Sequence, residues 1–83
     1  MTIRDWLREA EIRLSLADVA SPKMESQQLA AHVMRVDRTW LLAHPKHEFN
    51  DLAGEGLLQR REAGEPLAYI LGWREFYGRT FGV

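Results

Sequence analysis

Cysteine is absent from the 83 residues, which excludes disulfide staples, thiolate nucleophiles and any zinc site built on sulfur ligands. No apolar run approaches the roughly 20 residues that a membrane-spanning helix needs. A secretory leader is not expected either, because charges recur at Arg4, Asp5, Arg8, Glu9, Glu11 and Arg13. Charge of one sign is also missing. The 11 Lys+Arg against 12 Asp+Glu give a net charge of −1, whereas a chain that holds nucleic acid mainly through phosphates wants a basic surplus. Direct nucleic-acid binding and membrane association are therefore not expected. The length leaves room for one domain, which buries only about 60–65% of its unfolded surface. These absences point to a small soluble domain of the cytoplasm.

What is present is helical periodicity. Ile3, Leu7, Ala10, Leu14 and Ala17 alternate steps of four and three, the spacing of one helix face. Thr2 is placed to cap this first helix, with Asp5 three residues on. Asp5/Arg8 and Glu9/Arg13 are at pairing distance on its other face, and Trp6 and Ile12 flank the apolar stripe. Ser21-Pro22 signals a second start, the hydroxyl as cap and proline at the first helical position, with Ser26, Leu29, Ala30 and Val33 facing inward. Asp37 opens a short third helix over 38–43, halted before Pro45. Asn50 opens a fourth that runs to Ala63, with Gly64 as its stop. Gly54 and Gly56 lie inside it and cost about 2 kcal/mol of helix propensity together, and Gly56 is the expected point of close helix approach. Pro66 starts a fifth helix, Leu67 to Leu71, closed by Gly72. The expected fold is all-α: a compact bundle of five short helices over 1–72, with Leu7, Leu14, Leu29, Val33, Leu41 and Leu57 in its core.

After Gly72 the period changes. Residues 74–77 and 80–83, joined by Gly78-Arg79, read as a β-hairpin, and a lone two-stranded hairpin is marginal in water. Two strands cannot bury Trp73, Phe76, Tyr77 and Phe81 together, so some of these rings are expected against the bundle, a further domain or a partner. Residues 73–83 are accordingly read as a hairpin linker.

The chemistry-bearing residues are few. His44 and His47 flank Pro45, which breaks the helix that would align two imidazoles, and they fall short of a metal shell without cysteine. His32 lies beside the inner stripe of the second helix, where a hydrogen-bonded edge histidine is the ordinary reading. Gly54-Glu55-Gly56 has the start of a dinucleotide fingerprint, but Gln59 stands where the third glycine belongs and no strand precedes it. No catalytic, cofactor-binding or metal residue is assigned. Arg60 and Arg61, with Arg74 and Glu75, form a candidate partner-docking edge, joined by Phe76 and Tyr77; arginine and aromatic residues are enriched at interfaces.

The run Arg60-Arg61-Glu62-Ala63-Gly64-Glu65-Pro66-Leu67-Ala68-Tyr69-Ile70-Leu71-Gly72-Trp73-Arg74-Glu75-Phe76-Tyr77-Gly78 resembles a signature of the PrmC/HemK family, the peptide chain release factor glutamine methyltransferases. Trp6-Leu7-Arg8-Glu9-Ala10, Ser21-Pro22, Leu29-Ala30-Ala31-His32-Val33 and Asp37-Arg38-Thr39 agree with the same family in order and spacing, so the resemblance covers essentially the whole chain. One departure is Glu25-Ser26-Gln27, where the family usually has an acidic residue, alanine and glutamate.

The resemblance implies an N-terminal helical bundle that helps dock a class I release factor, a linking hairpin, and a separate C-terminal domain. That domain binds S-adenosylmethionine and carries an Asn-Pro-Pro-Tyr motif for methylating the glutamine of the Gly-Gly-Gln loop. This chain has no such motif, so it is expected to be the recognition domain without its methyltransferase domain, and inactive alone. Its expected partners are the release factor and its own methyltransferase domain. A self-standing helical adaptor for another protein is the alternative from a different class. An RNA-contacting module is a third reading, marked by salt-sensitive binding.

Overall fold

The structure, a computed structural model, describes residues 1–72. Five helices form where capping and periodicity place them: α1 (Ile3–Leu16), α2 (Pro22–Met34), α3 (Arg38–Ala43), α4 (Asp51–Glu62) and α5 (Leu67–Leu71). The hairpin expected over 74–83 lies outside the described residues.

Three of the expected caps are made. Thr2 Oγ1 accepts from the Asp5 amide at 3.2 Å, Asp37 Oδ1 from the Trp40 amide at 2.8 Å, and Asn50 Oδ1 from the Ala53 amide at 3.2 Å. Each side chain satisfies one of the orphan amides of a helix start. Ser21 is a correction: its hydroxyl makes no cap bond, and Pro22 at the start of α2 removes one of the donors instead.

Three helix ends, those of α1, α2 and α4, follow one pattern. After α4, Gly64 takes φ +100° while Glu65 N donates to Arg60 O at 3.1 Å, the bond that marks a Schellman stop. The same stop ends α1 and α2 without glycine. Asp18 (φ 63°) and Arg35 (φ 58°) occupy the left-handed position, while Val19 N donates to Leu14 O and Val36 N to Ala31 O, each at 3.1 Å. The valines then fold back on the core, an apolar contact that commonly accompanies this motif.

Helix α1 packs along α2 and α4, and α2 also contacts α3 and α5. Ile3, Trp6, Ala10 and Leu14 of α1 meet Leu29, Ala30, Leu41, Phe49, Leu58, Ile70 and Leu71 in one buried cluster. Of the expected core, Leu14, Leu29 and Leu41 are fully buried, while Leu7, Val33 and Leu57 are partly exposed and pack against its outside. Trp6 is buried between α1 and α4, but Ile12 is 55% exposed and faces outward.

The close approach falls at Gly54, not Gly56. Trp6 and Phe49 meet at a tilt of 34° with ring centroids 4.7 Å apart, and a Cβ on Gly54 would stand 2.6 Å from the Phe49 ring and 2.8 Å from that of Trp6. Gly56 faces open space.

The α3–α4 loop pins the start of α1. Ile3 N donates to His47 O and Arg4 N to Pro45 O, both at 2.9 Å, and Phe49 N donates to Met1 O at 2.8 Å. Loop carbonyls thereby satisfy two more of the amides that α1 leaves unpaired. The pairing forms an isolated antiparallel bridge between Thr2 and Glu48.

Candidate functional site

The charged residues divide into those that hold helices together and those that do not. Arg13 is the main tie. Its Nη1 and Nη2 donate to both oxygens of Glu55 at 2.6 and 2.8 Å, and its Nε and Nη2 donate to both oxygens of Glu62 at 3.0 and 2.6 Å. Neither the Glu9/Arg13 nor the Asp5/Arg8 pair expected along α1 is formed; Arg13 instead reaches across to two α4 carboxylates in bidentate geometry, the stronger arrangement. Hydrogen bonding to Arg13 holds the Glu55 carboxyl below the usual carboxylate range and raises the guanidinium.

Of the expected docking edge, Arg60 and Arg61 lie in the described part of the chain. Arg60 hydrogen-bonds to Glu65 from the end of α4, and this pair raises Arg60 and lowers Glu65. Arg61 reaches α2, its Nε donating to Glu25 Oε1 at 2.6 Å, and its Nη1 donates to Glu65 O at 3.3 Å. Arg61 therefore ties α2 to α4 and the turn beyond, and its side chain is only 21% exposed. Arg74, Glu75, Phe76 and Tyr77 lie outside the described residues, so the edge is seen at its α4 end alone.

The histidines of the α3–α4 loop gather around a ring. His44 stacks on Trp40 with centroids 3.9 Å apart, and His47 meets the same ring edge-on at 5.3 Å. Their Nδ1 atoms bond to backbone oxygens of Trp40 and Glu48. His32 sits half-buried on α2. Gly54-Glu55-Gly56 lies inside α4, where no turn is left to cradle a phosphate.

A surface feature that the sequence reading did not single out runs between α1, α2 and α3. Leu7 and Leu42, backed by the buried Leu41, floor a groove of about 270 Å³. It continues past Met24 and Pro22 towards Ile12 and Leu16. Gln27, at the departure from the family pattern, lies buried on its wall and accepts from Arg38 Nε at 3.1 Å. Arg4, Arg8 and Lys23 line the rim with Arg38, against the single carboxylate of Glu11. The signal was present as Arg4, Arg8 and Glu11, a second helical stripe beside the apolar one.

The family model described as the PrmC N-terminal domain matches residues 5–72, the same span as the five helices. The chain belongs to the PrmC N-terminal domain family. Relatives of this PrmC N-terminal domain include the release factor glutamine methyltransferase of Bordetella pertussis, 45% identical over 71 residues, 82% of this chain and 26% of that protein. The enzyme of the same name from Neisseria gonorrhoeae is 40% identical across the whole chain and 28% of its own length. A bifunctional methyltransferase of Rickettsia bellii is 39% identical over 99% of this chain and 15% of its own. The chain thus spans less than a third of each of these relatives. No solved structure matches it.

Proposed function

We propose that this domain recognises a class I peptide chain release factor for a methyltransferase that modifies the glutamine of its Gly-Gly-Gln loop. The observation that carries the proposal is the family match across residues 5–72, supported by relatives named for release factor glutamine methylation. In this reading the catalytic work belongs to a methyltransferase domain in the remaining length of such proteins, with S-adenosylmethionine as methyl donor.

Residues 1–72 do not fit that cofactor. Methyltransferase sites of the expected kind use a crevice at the carboxyl ends of a parallel sheet. The described residues supply helices and one isolated bridge. In this reading the contribution of the described residues is binding and orientation.

The edge of Arg60, Arg61, Arg74, Glu75, Phe76 and Tyr77 is proposed to face a partner at the junction with the methyltransferase domain, with residues 73–83 as the linker and the cytoplasm as the site of action. Calorimetric titration of the 83-residue chain with a class I release factor tests the proposal. Saturable binding is expected, weaker than that of a two-domain enzyme, because the second contact raises effective concentration. No heat change is expected with S-adenosylmethionine. Absence of release-factor binding at high concentration would reduce the domain to a structural appendage.

A further inference from the structure

The charges of α1 are sorted by side. Towards α4 the helix meets an acidic surface, Glu9 beside Asp51 and Glu55. Towards α2 and α3 it presents Arg4 and Arg8, joined by Lys23 and Arg38. Arg13, Arg60 and Arg61 are each held in an ion pair. Arg4, Arg8 and Lys23 form no ion pair among the described residues, although the chain as a whole carries a net charge of −1. Glu25, the acid nearest Lys23 in sequence, turns from α2 to Arg61, and Asp37, next to Arg38, caps α3. A basic rim offset by the Glu11 carboxylate alone, on a slightly acidic protein, surrounds an apolar floor on which Leu42 and Met24 are each 48% exposed.

We propose that this groove binds an acidic amphipathic segment of a protein partner, its apolar side chains on the Leu7–Leu42 floor and its carboxylates against Arg4, Arg8, Lys23 and Arg38. Taking the partner to be the release factor rests on the function proposed above; the groove and the chemistry of its occupant do not. At about 270 Å³ the central depression is at or below the roughly 300–1,000 Å³ of small-molecule pockets, and it is open along its length. It suits side chains delivered by a backbone lying outside it, the helix-in-groove mode of recognition. RNA fits less well, since no aromatic ring lines the groove for base stacking. The chain's own residues 73–83 have the wrong charge, with Arg74 and Arg79 against Glu75 alone.

The test uses the 83-residue chain and fluorescent peptides. One carries leucines at i, i+3, i+4 and i+7 spacing with glutamates between, and its counterpart has lysine for every glutamate. The glutamate peptide should bind saturably and the lysine peptide should not. Arg8→Glu with Lys23→Glu should weaken that binding by about tenfold or more, since two charge contacts become repulsive. Both side chains lie outside the core, so the melting temperature of the double variant should match the parent. Leu42→Gln, which removes apolar floor and leaves every charge, should weaken the peptide several-fold.

Release factor is titrated in parallel. Parent and Arg8→Glu/Lys23→Glu binding it equally, with the glutamate peptide held no better than the lysine peptide, would overturn the groove while leaving release-factor recognition standing. A parent that ignores release factor but binds the glutamate peptide through Arg8 and Lys23 would uphold the groove and sink the functional reading. Binding of oligouridylate in place of the glutamate peptide would overturn the proposal in favour of RNA. Self-association that the double variant abolishes, with no peptide binding, would overturn it in favour of a second copy.

Discussion

Two glycines in α4 have opposite meanings that their shared sequence context hides. At Gly54 the Trp6 and Phe49 rings occupy the space of a Cβ, and both rings are buried, so neither can withdraw without opening the core. Gly54→Ala gains about 1 kcal/mol of helix propensity but incurs overpacking of about 1–3 kcal/mol; a net loss in melting experiments is expected. Gly56→Ala meets nothing within 4 Å and keeps the propensity gain, about 1 kcal/mol. A stabilised Gly54→Ala would show that the Trp6–Phe49 pair is displaced at little cost. At Arg13 the physics is different. The side chain sits between two carboxylates that would repel each other without it, so Arg13→Met should destabilise the chain despite keeping most of the apolar stem, by about 1–2 kcal/mol. Chemical denaturation measures it, and an unchanged midpoint would show the two ion pairs to be energetically silent.

Helices α1, α2 and α4 stop where the chain enters the left-handed region, and in two of these three Schellman stops a residue with a side chain does so. Arg35 stands at φ 58° and forms no ion pair among the described residues, so Arg35→Gly removes a conformational penalty without removing a contact. A gain of about 0.5–1 kcal/mol is expected, corresponding to a few degrees in a domain of this size. Gly64 was readable as a stop because glycine advertises this conformation. Asp18 and Arg35 were not readable, because the bonds from Val19 and Val36 that define the stop are backbone bonds of residues with no turn signal. The five helices themselves were legible: Thr2, Asp37 and Asn50 are local caps, and local chemistry does not depend on the rest of the fold. The pinning of α1 by carbonyls of Pro45 and His47 had no such signal, since any residue supplies a carbonyl.

Across the molecule, α1 is held to α4 by a partly exposed ion-pair cluster, and this gives the stability a pH dependence. Hydrogen bonding to Arg13 lowers the Glu55 pKa below its ordinary value of 4.5, so its stabilising contribution is fully present above that value and is lost as the pH falls through the depressed folded value. Glu55 is 38% exposed, and screening limits the contribution to about 1 kcal/mol or less. Denaturation midpoints should decline below about pH 4.5, and Arg13→Met should flatten that decline. An equal decline in both chains would assign the acid sensitivity to other carboxylates. The Met1 ammonium has the opposite sign: Glu48 raises its pKa above 8.0, so its contribution is complete below that value and fades as the pH rises through the folded value.

What the sequence determined by itself was whatever rests on neighbours a few residues apart. That includes the number and limits of the helices, the inward side of α1, and the motif order that marks the family. The core was partly legible for the same reason: Leu14, Leu29 and Leu41 fall on strong stripes, whereas Phe49 lies in a loop between helices and has no period to announce its burial. The partners of charges were not legible. Arg13 has Glu9 within reach on its own helix, yet bonds to Glu55 and Glu62, 42 and 49 residues away. Arg61, one member of the expected docking edge, bonds to Glu25 across 36 residues. Only the tertiary packing decides which long side chains meet, because their reach is comparable to the distance between adjacent helices. By spending those two arginines and Arg60 on internal pairs, that packing leaves Arg4, Arg8 and Lys23 without ion pairs among the described residues around the α1–α3 groove.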